Sequence, residues 1–220
     1  MLSLLCLVLA GSLVWITCRY IDLKKSLNPK EKRFLNIIKA LSSIVDSVED
    51  YSTPHSDEIS DLALKIAERT SMSDSQKQSL SLASRLHDIG MLMVTIDLIK
   101  SQRGLNEDDA FIMKSHPLLA EHYLKQFVEV TEDIPSIIRW HHERWDGFAY
   151  PDNLQGRSIP LSSRILAIAD AVSAMKAERG YRGKSYSSEQ EIINELKRQS
   201  GLQFDPYLVK ITVSILEEKQ

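Results

Sequence analysis

From about residue 33 onward, apolar positions recur at helical spacing almost without a break. Phe34, Ile37, Ile38, Leu41, Ile44 and Val45 follow the rhythm of one helix face and predict an amphipathic helix. Ser73 with Gln76 forms a capping box ahead of a helix that runs to about His87. Asn106 with Asp109 starts another, which carries Ile112, Met113 and Leu119. A short helix over 134–142 starts near Pro135, a long apolar one covers Leu161–Lys176, and Ser188 with Glu191 caps the next. Asp205 before Pro206 is an N-cap and first-turn signal for the last helix. No stretch sustains the alternation that marks a strand, so no sheet is predicted. One long irregular piece remains, 143–160, holding Trp145, Gly147, Pro151, Asn153, Gly156 and Pro160. A loop of that length inside a compact domain is usually functional. The pattern predicts a single all-α domain over 33–220.

The start of the chain follows another rule. Residues 1–18 carry no charge, and the first charged side chain is Arg19. Such a run makes about 27 Å of helix, close to the thickness of a hydrocarbon core. It lacks the basic start and small-residue cleavage site of a signal peptide, and neither Cys6 nor Cys18 follows the small residue expected of a lipid-modified cysteine. The segment is therefore expected to be a single transmembrane anchor, with Trp15 and Tyr20 at the headgroups. Arg19, Lys24, Lys25, Lys30, Lys32 and Arg33 follow it. The positive-inside rule then predicts inner-membrane localisation, with a charged linker over 19–32 and the remaining domain in the cytoplasm.

Composition narrows the chemistry. A chain of 220 residues has room for one ordinary domain and an appendage. Hydrophobic residues at 43% and charged ones at 26% exclude wholesale disorder and a multi-pass membrane protein. A net charge of −3 argues against a nucleic-acid polymer as partner. With only Cys6 and Cys18, a disulfide framework and a four-cysteine zinc site are excluded. The histidines are placed more tellingly: His55, His87 beside Asp88, His116, His122, and the adjacent His141 and His142. Asp170 lies inside the apolar run ILAIADAVSAM, where a bare carboxylate costs several kcal/mol and needs a partner that a metal would supply. His122 fits no cluster and reads as a surface residue. Glu143 reads either as an acceptor for an imidazole or as half of an exposed ion pair.

These residues sit in an ordered series: PHS around His55, LHDIG at 86–90, SHP at 115–117, HHERWDGFAYP at 141–151, RILAIADAVSAM at 164–175, RGYR at 179–182 and GLQFDP at 201–206. The chain thereby resembles the HD-GYP family of the HD phosphohydrolase superfamily, over about 33–218. The resemblance implies an HD-domain-like helical bundle with one long Gly/Pro loop. It assigns His55, His87, Asp88 and Asp170 to a first metal ion, and His116, His141 and His142 to a second, with Asp88 bridging. His87 and Asp88 are the implied catalytic pair, and Tyr150, Arg179 and Arg182 the implied substrate-binding residues. Some members hold a third ion through a glutamate at the position of Tyr51, so two ions are expected here. Imidazoles and carboxylates without thiolates suit two divalent ions such as iron or manganese.

The implied activity is hydrolysis of cyclic di-GMP to linear pGpG, with onward cleavage to GMP left open, by a hydroxide bridging the two metals. Three positions depart from the family. Met91 replaces a usual lysine, Ser173 a usual second aspartate, and Ala149 the glycine of the GYP triplet. The first two are opposite charges lost together, which suggests that they normally pair. These departures are expected to weaken the enzyme. They keep two alternatives open: another cyclic dinucleotide or phosphorylated metabolite as substrate, and a low-activity cyclic-dinucleotide-binding scaffold. A protein partner or a homodimer also stays open.

Overall fold

Pro29 opens the first helix of the computed structural model, which describes residues 29–48, 55–94, 106–126, 133–177 and 188–218. This helix, α1 (Pro29–Val48), starts inside the stretch read as linker. Proline is suited to a first helical turn, because its φ is preset and its missing N–H would have had no helical partner. The chain divides into two compact units, Met1–Lys39 and Ala40–Gln220. Residues 29–39 of α1 are the described part of the first.

The second unit carries the rest: α2 (His55–Ala67), α3 (Asp74–Leu86), a 3₁₀ turn at Ile89–Met93, α4 (Glu107–Lys114), α5 (His116–Leu124), α6 (Asp133–Arg139), a 3₁₀ turn at Gly156–Ser158, α7 (Leu161–Lys176), α8 (Glu189–Arg198) and α9 (Pro206–Glu217). Among the described residues no strand occurs; Ser200 and Phe204 form an isolated bridge. The all-α expectation therefore holds for them. The expected caps are formed. Ser73 Oγ accepts the Gln76 N–H at 3.3 Å while Gln76 Oε1 accepts the Ser73 N–H at 2.9 Å. Asn106 and Asp109 make the same reciprocal pair at 2.8 and 3.1 Å. Each such cap contributes about 1 kcal/mol.

Two helices differ from expectation. The one begun at Asn106 is broken at Ser115 into α4 and α5, because Pro117 must lie in a first turn and cannot continue a helix through its own missing N–H. The helix expected over 134–142 ends at Arg139, releasing the two histidines that follow it.

The core forms around α7, whose Ile165, Leu166, Ile168, Ala169 and Val172 are buried against α2, α3, α6 and α9. Ile59, Ala63 and Ile66 on α2 and Leu80, Ala83 and Leu86 on α3 recur at three- and four-residue steps and close the same core. Full burial of each Leu or Ile contributes about 1.5–3 kcal/mol. The α2 start is gripped by α1. Asp46 accepts the Ser56 hydroxyl at 2.6 Å and the Ser56 N–H at 3.3 Å, putting a carboxylate at the positive end of a helix, next to His55. Gly90 sets another close approach. A Cβ there would lie 2.0 Å from the His116 carbonyl oxygen and 3.0 Å from the Ala120 nitrogen, so a side chain would push α5 away.

The inner-membrane, single-pass placement is corrected by the structure. Among the described residues no helix is long and apolar enough to cross a membrane. The longest, α1, carries Lys30, Glu31, Lys32, Arg33, Lys39 and Asp46, and α9, the most apolar, has only 12 residues. The expected anchor over 1–18 and the linker over 19–28 lie outside the described residues.

Candidate metal centre

The centre is built largely from helix ends. The last carbonyls of an α-helix have no partner within it. Three histidines use these groups: His87 Nδ1 donates to the Ser84 carbonyl at 2.9 Å, His116 Nδ1 to Met113 at 2.8 Å, and His141 Nδ1 to Ile138 at 2.6 Å. Each histidine lies just beyond the end of α3, α4 or α6 and reaches three residues back. A carbonyl can only accept, so each Nδ1 carries a proton and each ring turns its Nε2 inward. Metal-ligating histidines are commonly oriented in this way. The break at Ser115 acquires a purpose here, because it frees the Met113 carbonyl for the His116 ring.

The seven predicted residues come together as two adjoining groups. His55, His87 and Asp170 form one, and Asp88, His116, His141 and His142 the other; within each group the candidate ligand atoms lie within 4.8 Å of one another. Asp88 faces both. Its Oδ2 is 2.9 Å from His87 Nε2, while its Oδ1 is 3.1 Å from His116 Nε2 and 4.0 Å from His141 Nε2. In the first group Asp170 Oδ1 lies 3.5 Å from His55 Nε2 and 3.9 Å from His87 Nε2. A lone pair held about 3 Å from a carboxylate oxygen is favourable only if a proton or a metal ion shares positive charge between them. The donor set therefore fits divalent metal, and the cluster could hold it.

Burial and neighbouring groups shift four of the seven donors. Burial, and then the neighbouring His142 and His116, hold His141 well below the ordinary imidazole range. Burial, and then His116, push His142 down from 6.5 to about 4. For Asp88 burial acts upward, yet His87 and His116 outweigh it and leave the carboxyl well below its usual range. Asp170 behaves alike: burial raises it, and His55 and His87 bring it far lower. An unfolded chain protonates its histidines near 6.5, before folded His142 does near 4. The stabilising contribution is thus complete above that unfolded value and is lost as pH falls toward 4. Denaturant unfolding of the metal-free protein is expected to show roughly 1–2 kcal/mol less stability at pH 5 than at pH 7 from His142. Equal stability at both pH values would contradict this assignment.

The long loop is tied down beside the second group. Glu143 is 3% exposed, and its carboxylate accepts the Asp152 N–H at 2.6 Å and the Leu154 N–H at 3.1 Å. It is neither an acceptor for an imidazole nor half of an exposed ion pair; it pins the loop backbone. Burial raises its pKa, and those two N–H groups oppose the rise. Arg139 forks onto Asp152 at 2.7 and 2.8 Å, and the Trp140 N–H joins at 2.6 Å. The Arg139 hydrogen bonds hold the Asp152 carboxyl at about 2 despite some burial. Tyr150, in the same loop, has its ring 5.0 Å from that of His142, with the Lys114 ammonium 5.7 Å above the tyrosine ring.

Other expected positions are distributed as follows. Arg179, Arg182 and Tyr51 lie outside the described residues. His122 is exposed and belongs to neither group. Met91 is buried with Val94 and partly buried Met113, whereas Ser173 bonds to His55 and Glu58, so the two departures have different neighbours. Ala149 sits in the pinned loop. Sequence reasoning missed the roles of Glu143, Arg139 and Ser173. The buried register of Glu143, beside two histidines and ahead of a Gly/Pro loop, was the available signal for the first.

Comparison with known proteins gives relatives for this arrangement. The chain is 28% identical to the 3'3'-cGAMP-specific phosphodiesterase 2 of Vibrio cholerae serotype O1, over 93% of this chain and 38% of that protein. It is 30% identical to the cyclic di-GMP phosphodiesterase response regulator RpfG of Xanthomonas campestris pv. campestris, over 84% of this chain and 48% of that protein. It thus spans less than half the length of either. The crystal structure of a cyclic GMP-AMP-specific phosphodiesterase from V. cholerae superposes with a TM-score of 0.65 at 19% identity, covering 82% of this chain and 48% of that one. That likeness concerns the fold. Residues 39–208 match the HD domain, whose phosphohydrolases are metal-dependent, and with the adjacent His87 and Asp88 at the junction of its two groups the chain belongs to the HD domain family.

Proposed function

We propose that the protein is a metal-dependent phosphodiesterase of HD-GYP type that opens cyclic di-GMP to linear pGpG. The carrying observation is the pair of adjoining histidine–aspartate groups joined by the two oxygens of Asp88. His55, His87 and Asp170 would hold one divalent ion, His116, His141 and His142 another, and Asp88 both; iron or manganese suits these donors. When bound, such a pair supplies an ionised water at neutral pH and polarises a phosphoryl oxygen. The chain's own part is to present imidazoles through Nε2, fixed by the carbonyls of Ser84, Met113 and Ile138, and a carboxylate that stays ionised. Tyr150 offers a ring beside the second group for a base or sugar to rest on. Arg179 and Arg182 are assigned to the substrate phosphates on the RGYR motif. Met91, buried among apolar side chains, offers no cation, which fits a slowed enzyme.

The names of the relatives support a cyclic dinucleotide as substrate class, and that of the V. cholerae phosphodiesterase 2 favours 3'3'-cGAMP as a second reading. The test loads the full chain with manganese or iron and follows both dinucleotides by chromatography. Loss of cyclic di-GMP, faster than loss of 3'3'-cGAMP and abolished by chelator, is expected. Two ions bound per chain with turnover of neither would overturn the reading.

A further inference from the structure

His55 differs from the other oriented histidines in where it stands. It opens α2 rather than following a helix, and a helix N-terminus offers N–H groups instead of carbonyls. An imidazole there must find its acceptor elsewhere. It lies 1% exposed, with Nδ1 2.9 Å from Ser173 Oγ and Nε2 3.5 Å from Asp170 Oδ1. Asp170 and Ser173 are three residues apart on α7 and so share one face. That face holds both nitrogens of the ring. The Ser173 hydroxyl, itself 4% exposed, lies 3.3 Å from Glu58 Oε2, and Glu58 is three residues after His55 on α2. Two pairs at helical spacing thus meet across the α2–α7 contact.

We propose that Ser173 and Glu58 are positioning residues of the first group: the Ser173 hydroxyl accepts the Nδ1–H of His55 and donates its own hydrogen to Glu58, which leaves the His55 Nε2 lone pair facing Asp170. The inference rests on the reading of His55 as a metal ligand. The direction of the chain follows from its end, because a carboxylate only accepts. The hydroxyl has one hydrogen; once that goes to Glu58, its oxygen is left to accept from the ring. Ser173 was read from the sequence as a lost carboxylate, a departure that weakens the enzyme. In this geometry α2 supplies the carboxylate through Glu58, one hydroxyl away, and the acceptor for His55 is kept.

The test uses the full chain with Mn²⁺ as probe, together with ring-nitrogen NMR of the metal-free protein. Ser173→Ala and Glu58→Ala are expected to weaken one of the two Mn²⁺ steps about 10–100-fold and leave the other unchanged. Ser173→Thr, which keeps the hydroxyl, restores wild-type affinity, and Glu58→Gln, which keeps an acceptor, loses less than Glu58→Ala. In the metal-free wild type the His55 ring is expected as the Nδ1–H form, and in Ser173→Ala that preference is lost. Wild-type Mn²⁺ affinities in both alanine variants, or a threonine variant as weak as alanine, would overturn the proposal. Should Ser173→Ala fail to fold, Glu58→Ala decides, since Glu58 is on the exposed side of α2. A wild type that shows the Nδ1–H form yet binds no Mn²⁺ would overturn the metal reading, and an Nε2–H form would overturn the relay itself.

Discussion

Asp88→Asn is expected to lower phosphodiester turnover by about 10³-fold or more and to remove at least one of two bound ions, while the metal-free protein still folds. The reason is the division of labour between two oxygens. Oδ2 stands 2.9 Å from His87 and Oδ1 3.1 Å from His116, so the carboxylate belongs to both groups. Asparagine keeps one acceptor and replaces the other with an NH₂ donor. Whichever way it turns, one group loses an anionic oxygen and faces hydrogens instead. Asparagine also lacks the negative charge that His87 and His116 sustain in the buried wild-type carboxylate. Metal content by mass spectrometry, turnover and an unfolding curve together separate a lost ligand from a lost fold. A variant that retains two ions and wild-type turnover would show that Asp88 joins nothing.

Glu143→Ala is the second large effect, and it acts on the loop. The mutation leaves the N–H groups of Asp152 and Leu154 without their acceptor, at about 1–3 kcal/mol each where water cannot replace it. A total loss of about 2–4 kcal/mol is expected in denaturant unfolding, with new protease cleavage inside 143–160. Turnover should fall about 10–100-fold, because Tyr150 would no longer be held beside His142. Glu143→Gln keeps one of the two bonds and should fall between. If the alanine variant were as stable and as protease-resistant as wild type, the Arg139–Asp152 fork alone would be holding the loop.

Much of this was legible before any coordinates. The boxes at Ser73 and Asn106 name their own hydrogen bonds, since donor and acceptor are three residues apart and helix geometry brings them together. The long apolar run of α7 indicated a central helix, and Asp170 within it indicated a polar partner. Other features were hidden for stated reasons. Where α6 ends and where α4 breaks depends on which carbonyls the histidines claim, a competition that periodicity does not encode. Ser173 meets His55 across 118 residues, so no local pattern could pair them. The expectation that the lysine and aspartate replaced by Met91 and Ser173 pair with each other rests only on their opposite charges, and here Met91 and Ser173 have separate surroundings. The predicted membrane placement rested on the first eighteen residues and finds no spanning helix among those described.

The donors of the two groups come from positions between 55 and 170, on or beside α2, α3, α5, α6 and α7. An ion held among them would be a cross-link, closing loops of many tens of residues in a domain with no cysteine after Cys18 to do so. Ligand that binds only the folded form adds stability by mass action, about 2.7 kcal/mol at a hundredfold excess over Kd. Metal supply would then govern how long a copy of the protein survives as well as how fast it works. A cell short of the ion would carry fewer molecules, each more open to proteases, before any change in expression.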